Sequence, residues 1–227
     1  MRLSNTVPLG GAPLELPLTN TTLLGVPQRL PSRRFFRTPL LWTICLTTSG
    51  HRNCGHSGLQ FDTPDRYEYY RGASNAPCGG QGARALPENA YYCFAESDEY
   101  VAFDLDWFTS YLDEHPGGAT TFLILAHEWG HAVQDTWVEQ QLHPEWAEDD
   151  PRQELSADCL AGVWMEDALR RGTLIEESGD ADAIFRFLWE GGSGPWFAPG
   201  DHGTKEQRQR AFADGYAQDT EYCRTNY

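Results

Sequence analysis

The sequence predicts a helix-rich α+β fold, and three patterns support that prediction. The stretch from Phe122 to Val133 is apolar on nearly every side, which is typical of a helix that runs through a core. Residues 151–170 have the signals of a second helix with defined ends. Val101, Phe103 and Leu105 alternate with Ala102, Asp104 and Asp106, which indicates a strand with one polar face. We therefore expect several helices packed on a small β-sheet.

The composition describes a globular protein with a strongly acidic surface. The chain has 227 residues, enough for one substantial domain, and 40% of them are hydrophobic. Its formal charge is −16, from 33 acidic and 17 basic residues. Because phosphate groups bind clustered Lys and Arg, this charge argues against nucleic acid and against anionic lipid as partners. The excess of acid is otherwise explained by solubility.

The chain divides into two parts by its pattern. Residues 1–60 are rich in Pro, Thr, Gly and Ser without lasting periodicity, and we expect a weakly structured leader of unknown role. Arg33 to Leu46 pairs basic residues with a short apolar run, which fits either an inwardly displaced targeting signal or a short strand. No stretch has the roughly 18 to 20 apolar residues of a membrane span, although membrane association is not excluded. Residues 61–227 form the predicted main domain, and its first part, 62–100, looks rich in loops.

The two long helices follow in order. Pro116-Gly117-Gly118 breaks the chain before a helix over residues 119–139. The next helix has Asp150 as its N-cap and Pro151 at its first position. Arg170 and Arg171 complement its C-terminal dipole, and Gly172 ends it.

Two further helices complete the domain. A shorter helix is expected over residues 181–190, and Gly191 to Pro195 is a loop. Thr204-Lys-Glu-Gln207 has the pattern of a capping box, in which the first and fourth side chains bond each other's backbone. It predicts a final helix that ends near Ala217.

The motif His127-Glu-Trp-Gly-His131 lies in the middle of the first long helix and has the form H-E-x-x-H. Residues four apart share one helical face, so both imidazoles can reach one Zn²⁺. Glu128 borders that face without being a ligand, and it can accept a proton from a zinc-bound water. The alternative is a pair of ordinary helix histidines, which is less favoured because polar groups in an apolar helix must be satisfied.

A catalytic zinc needs a third protein ligand, and the second long helix offers one in Glu154. Asp158 lies one turn further on the same face, where it can accept the second N–H of a ligand histidine. Ala161 and Gly162 continue this face and would let the two helices approach closely. Acidic residues in a first helical turn also occur simply to complement the helix dipole. The upstream motif makes the metal site the better interpretation.

Three ordered motifs resemble the bacterial neutral zinc metallopeptidase family, over about residues 62–226. They are His127-Glu-Trp-Gly-His131 with Val133-Gln134, Glu154-Leu-Ser-Ala-Asp-Cys-Leu-Ala-Gly-Val-Trp164, and His202-Gly-Thr-Lys-Glu-Gln-Arg208; Cys78-Gly-Gly, Tyr92-Cys93 and the strand near Val101 fall in the expected order. The resemblance implies a zincin-type fold of the gluzincin kind, in which the H-E-x-x-H helix packs on the helix of the third ligand Glu154. It also implies a bacterial secreted or envelope setting. Ala132 and Phe94 depart from the family pattern, but neither is a proposed ligand.

Two residues in the last motif have open roles. His202 can be a catalytic donor to the oxyanion of the reaction, or a loop histidine that braces Asp201 or the start of the helix. Arg208 is expected to form an ion pair with buried acids rather than to clamp substrate.

Six cysteines are scattered without a CxxC pair, which favours disulfides in an oxidising compartment over a zinc ribbon. Six buried free thiols are the alternative. Cys78 and Cys93 lie at the two ends of a short loop, so we expect them to pair. The side chain of Cys159 points about 100° away from the face of Glu154 and Asp158, and we expect it to pair with Cys223.

These observations predict a zinc-dependent endopeptidase that uses one Zn²⁺ and acts on a protein or peptide substrate. The strand at 100–106 is a candidate to bind substrate by edge pairing, a hypothesis based on its position. One alternative is a catalytically inactive, zinc-stabilised binding or scaffold protein of the envelope, which would not require Glu128. Another is a metal-free helical protein with a chance motif.

Overall fold

The computed structural model describes residues 2–3, 45–48, 51–54, 59–60, 64, 66–72, 87–93, 99–114, 118–147, 151–192 and 202–227. The strands are β1 (Arg2–Leu3), β2 (Cys45–Thr48), β3 (His51–Cys54), β4 (Leu59–Gln60), β5 (Arg66–Tyr70), β6 (Ala90–Cys93), β7 (Tyr100–Asp104) and β8 (Leu174–Ile175). The α-helices are α1 (Leu105–Glu114), α2 (Ala119–Glu139), α3 (Pro151–Arg170), α4 (Asp180–Glu190), α5 (Lys205–Ala217) and α6 (Thr220–Asn226), and a 3₁₀ turn covers Pro144–Ala147. The helix-rich α+β class predicted from the sequence is confirmed.

The sheet next to the helices has three described strands in the order β5-β7-β6. β7 pairs in parallel with β5 and antiparallel with β6, so Val101 lies between Tyr67 and Tyr92. The predicted strand near residues 101–105 is therefore present, but it is the central strand. The hypothesis that it binds substrate by edge pairing is wrong, because both of its edges are already hydrogen-bonded to neighbouring strands.

Helix α1 was not predicted, and the reason lies in one residue. Asp104 ends β7, and its Oδ1 accepts the backbone N–H groups of Asp106 at 3.0 Å and of Trp107 at 3.4 Å. It is thus an N-cap, which satisfies amides that have no partner within the helix. Leu105 continued the alternating pattern of the strand, which concealed this boundary in the sequence.

Strands β5 and β6 also lie in a region that the sequence analysis took for loops. β5 contains three tyrosines and β6 two, and tyrosine is enriched in strands, but each strand is short and has no clean alternation. Their stability comes from pairing with β7, which is a non-local contact.

Helix α2 has the predicted bounds and is buried on most sides, including the H-E-x-x-H motif. Its central Trp129 is 1% exposed, and its indole N–H donates to the hydroxyl of Tyr67 on β5 at 2.5 Å. This contact attaches the motif-bearing helix to the sheet.

Helix α3 runs between α2 and α5, and glycines allow both close approaches. A Cβ at Gly130 of α2 would lie 2.9 Å from the Cα of Ala157, and a Cβ at Gly215 of α5 would lie 1.8 Å from the carbonyl oxygen of Cys159. A Cβ at Gly162 would lie 2.2 Å from the carbonyl oxygen of Phe212. The predicted N-cap Asp150 lies outside the described residues.

The remaining predicted helices are present as α4 and α5, but α5 is not the final helix, because α6 follows it with Asp219 as its N-cap. Thr204 and Gln207 form the expected capping box: the Thr204 hydroxyl accepts the N–H of Gln207 at 3.2 Å, and the Gln207 side chain accepts the N–H of Thr204 at 2.8 Å. Among the described residues, no helix has the length and apolar character needed to span a bilayer.

Within the predicted leader, residues 1–60, the structure describes only the strands β1 to β4. β1 pairs with β8, and β2, β3 and β4 form a separate antiparallel sheet. The basic and apolar run from Arg33 to Leu46 lies mostly outside the described residues.

Candidate metal centre

Three side chains from two helices meet at one point. His127 and His131 extend from α2, and Glu154 from the first turn of α3. Their ligand atoms all lie within 4.8 Å of one another. Nε2 of His127 is 3.2 Å from Nε2 of His131 and 3.0 Å from Oε2 of Glu154, while Nε2 of His131 is 3.7 Å from Oε1 of Glu154.

These distances suit a tetrahedral zinc site. Zinc binds nitrogen and oxygen donors at about 2.0–2.1 Å, so two donors of one tetrahedron lie about 3.3–3.4 Å apart. The three separations bracket that value. Two imidazoles and one carboxylate are also the donor set of catalytic zinc sites, which leave one position open for water or substrate. The residues present therefore fit this metal.

Asp158 links the site to the interior. Its Oδ1 lies 2.9 Å from Nδ1 of His127, and it accepts two bonds from Arg208, at 2.8 Å from Nε and 2.9 Å from Nη2. Asp158 is 0% exposed and Arg208 is 5% exposed, so each charge depends on the other. Arg208 thus forms the ion pair with a buried acid that the sequence led us to expect.

The electrostatics of the site favour a cation. Burial acts to lower the pKa of His127, but hydrogen bonds to Asp158 and Glu154 outweigh it and raise that pKa to about 10. Burial acts to raise the pKa of Glu154, yet His131 and His127 hold that pKa well below its usual range. Burial also acts to raise the pKa of Asp158, but the charge and hydrogen bonds of Arg208 outweigh burial and lower that pKa. Two ionised carboxylates therefore face the histidines at neutral pH.

Glu128 borders the three donors and is fixed by the sheet. It is 8% exposed, and its Oε2 accepts the backbone N–H of Tyr92 on β6 at 2.7 Å. Burial raises the pKa of Glu128, while the nearby His127 and His131 act to lower it. A carboxylate whose pKa lies closer to neutrality is a stronger base.

His202 lies at the open side of the site. Its side chain is 47% exposed, and its Nε2 is 3.4 Å from Oε2 of Glu154. Its ring centroid lies 6.2 Å from that of His127. Desolvation lowers the pKa of His202, so its imidazole stays neutral at a lower pH than that of an ordinary histidine. Asp201, which the sequence offered as its alternative partner, lies outside the described residues.

Two residues of the site were missed in the sequence. Gln134 belongs to the first motif, yet its contact with His131 could be inferred only weakly, from its position one turn further along α2. Tyr92 acts through its backbone N–H, which any residue has, so no sequence signal could have identified it.

The cysteines follow the predictions as far as they are described. Cys159 of α3 is disulfide-bonded to Cys223 of α6, as expected. Cys93 is also disulfide-bonded. Cys78 lies outside the described residues, so the pairing of Cys78 with Cys93 stays a prediction.

Comparison with known proteins supports the same chemistry. The model of a protein family described as "Putative neutral zinc metallopeptidase" matches residues 56–225. Two curated relatives, each named Uncharacterized protein YpfJ, come from Escherichia coli K12 and from Escherichia coli O6:H1, and each is 31% identical over 175 residues. The match covers 69% of this chain and 59% of each relative, so the chain spans less than two thirds of their length. No solved structure matches the chain. With its helix-rich α+β zincin-like fold, and with a match over residues 56–225 that includes the three donors, the chain belongs to the family described as "Putative neutral zinc metallopeptidase".

Proposed function

We propose that the chain is a zinc-dependent endopeptidase in which His127, His131 and Glu154 hold one Zn²⁺. The observation that carries this proposal is the convergence of three donor atoms within 4.8 Å, next to a buried carboxylate that is not one of them. When bound, zinc supplies the Lewis acidity that lowers the pKa of a water toward 7 and polarises a carbonyl group.

Glu128 is the proposed general base. It takes a proton from the attacking water and returns it to the amine nitrogen as the peptide bond breaks. The Tyr92 N–H, 2.7 Å from Oε2, holds the carboxylate in one orientation. A base held in place in this way needs no reorganisation during the reaction.

His202 is the proposed donor to the carbonyl oxygen of the substrate. Its partial exposure and its position 3.4 Å from Glu154 support this role, because it can reach a ligand in the open part of the site. A donor aimed at developing negative charge stabilises the transition state.

An extended substrate is proposed to lie along β6 rather than β7. β6 is an outer strand of the described sheet, and it contacts Glu128 through Tyr92. Pairing of a peptide with an outer strand supplies backbone hydrogen bonds of the kind common in peptide recognition.

The setting is proposed to be extracytoplasmic. The disulfide between Cys159 and Cys223 supports this because disulfides persist in oxidising compartments. When cells are lysed in denaturant with an alkylating agent and no reductant, both cysteines should stay unmodified, and their labelling would contradict the proposed location.

The proposal is tested with purified protein and a mixed peptide library, with cleavage followed by mass spectrometry. Cleavage is expected with zinc and should be lost with a chelator. Glu128→Gln is expected to bind one zinc as the parent does but to lose turnover, because the amide cannot accept the proton. Glu139→Gln, the same change at an exposed position of α2, is the matched control and should stay active.

Full activity of Glu128→Gln would disprove the mechanism. Zinc binding without cleavage by the parent protein would instead favour the alternative function, a zinc-stabilised binding or scaffold protein.

A further inference from the structure

Each histidine of the metal centre has its Nδ1 against a different kind of partner. Nδ1 of His127 contacts a carboxylate oxygen of Asp158, and Nδ1 of His131 contacts Oε1 of Gln134, both at 2.9 Å. A carboxylate only accepts, so the Nδ1 of His127 carries a proton. For His131 the partner is an amide, which can present either an acceptor or a donor. The orientation of the Gln134 amide therefore decides which nitrogen of His131 has a free lone pair.

A second contact fixes that orientation. Nε2 of Gln134 donates to the backbone carbonyl oxygen of Gln153 at 2.6 Å. Because a carbonyl oxygen cannot donate, rotating the amide by 180° would bring two acceptors together. The amide oxygen must then face His131, whose Nδ1 carries the proton. The lone pair on Nε2 of His131 is then free to bind the metal, and this atom lies 3.2 Å from Nε2 of His127.

The surroundings hold this arrangement in place. Gln134 is 2% exposed, so water cannot readily replace either of its bonds. Gln153 directly precedes Glu154, and its own side chain donates to the carbonyl of Trp146 in the 3₁₀ turn. Two successive residues at the start of α3 therefore support the site: Glu154 supplies a candidate metal ligand, and the carbonyl of Gln153 holds the Gln134 amide.

We propose that Gln134 is a positioning residue: clamped by the Gln153 carbonyl, it holds His131 in the tautomer and ring orientation that present Nε2 to the metal. The inference rests on the proposed metal site. Each histidine then has an acceptor for its Nδ1–H. For His127 the acceptor is the carboxylate of Asp158 on α3, and for His131 it is the amide of Gln134 on the same helix.

The first test is the zinc affinity of the full chain, measured by competition with a chromophoric chelator. Gln134→Leu removes the acceptor and keeps the approximate volume, and Gln134→Met does so with a more flexible side chain. Both are expected to bind zinc about 10- to 100-fold more weakly, the usual effect of losing a partner that orients a metal ligand. Thr136→Val is the matched control: Thr136 is 5% exposed on the same helix, and its hydroxyl donates to the helix carbonyl of Ala132 at 3.4 Å rather than to a residue of the centre. Its affinity should match that of the parent.

The second test observes the tautomer directly, by ¹⁵N NMR of labelled histidines in the zinc-loaded protein. The parent should show a slowly exchanging Nδ1–H on His131. In Gln134→Leu that proton should exchange faster with water, while the Nδ1–H of His127 stays protected by Asp158. A general loss of structure would affect both histidines, so the difference between them identifies a positioning role.

Parent-like affinity and a protected His131 in both Gln134 variants would overturn the inference. If neither variant folds, the NMR spectrum of the parent protein is the test. A His131 that carries its proton on Nε2 would contradict the proposal. None of these measurements requires turnover. A chain that binds zinc as described but cleaves no peptide therefore refutes the peptidase proposal and leaves this inference standing.

Discussion

At the scale of single residues, Asp158 and Arg208 form an ion pair in which both side chains are buried. Its two hydrogen bonds leave both groups satisfied in a region that excludes water. Removing one charge leaves the other buried and unpaired, which costs more than the net contribution of the pair. Arg208 therefore acts on the metal centre indirectly, by keeping Asp158 ionised against His127.

Arg208→Met is predicted to lower the free energy of unfolding by about 3–5 kcal/mol, because it strands the carboxylate of Asp158 in the interior. Urea unfolding monitored by circular dichroism measures the change. Arg210→Met is the control on the same helix, since the Arg210 side chain is 79% exposed and lies 3.5 Å from Asp214. Its effect should stay within about 0.5 kcal/mol. Equal losses in the two variants would contradict the importance of the buried pair.

The site shows which residues a sequence can reveal. His127 and His131 were predictable because one helical turn separates them, and Glu154 because its helix had recognisable ends. The bond between Gln134 and the Gln153 carbonyl was not predictable, since it joins two helices through a backbone group. The same holds for the N–H of Tyr92 that orients Glu128.

At the scale of elements, α3 is the helix on which the site depends. It carries Glu154 and Asp158 on one side and meets α5 at Gly162 and Gly215. The backbones touch at these glycines, which brings Arg208 of α5 within reach of Asp158. A wider crossing would separate the ion pair, so small residues here have an electrostatic consequence as well as a packing one.

Gly215→Ala is predicted to destabilise the protein by about 3 kcal/mol, because its Cβ would lie 1.8 Å from the carbonyl oxygen of Cys159 and backbone must move. Thermal or urea unfolding measures this loss. Gly172→Ala offers a comparison at a helix end, where φ is +69° and a Cβ meets nothing within 4 Å. That change should cost only about 1 kcal/mol, for the strained backbone alone. A smaller effect at Gly215 than at Gly172 would show that the helices are not in tight contact.

At the scale of the whole molecule, one covalent bond joins the last helix to the centre of the fold. The disulfide between Cys159 and Cys223 spans a sequence separation of 64 residues. Both cysteines are 0% exposed. The bond therefore closes a loop that contains β8, α4 and α5, and it fixes the chain end next to the helix that carries Asp158.

The double variant Cys159→Ala with Cys223→Ala is predicted to lose about 4 kcal/mol of stability, because the unfolded chain regains the entropy of an open loop of this length. The free energy of unfolding from urea titration tests the value. Zinc affinity in the folded variant should change little, since packing of α3 on α5 holds Asp158. Parent-like stability would show that the disulfide adds no constraint beyond the packing.

The helix-rich class, the bounds of α2, the capping box of α5 and the three candidate donors were all predictable from the amino-acid sequence. Each of these follows from residues within a turn or two of one another, where periodicity and capping act locally. The tertiary structure decided that β7 is the central strand, that Leu105 begins a helix, and that Gln134 and Tyr92 contact the site. Those outcomes depend on strand pairing and on backbone groups of distant segments. Because every residue has the same backbone donor and acceptor, only the folded chain selects which of them meet.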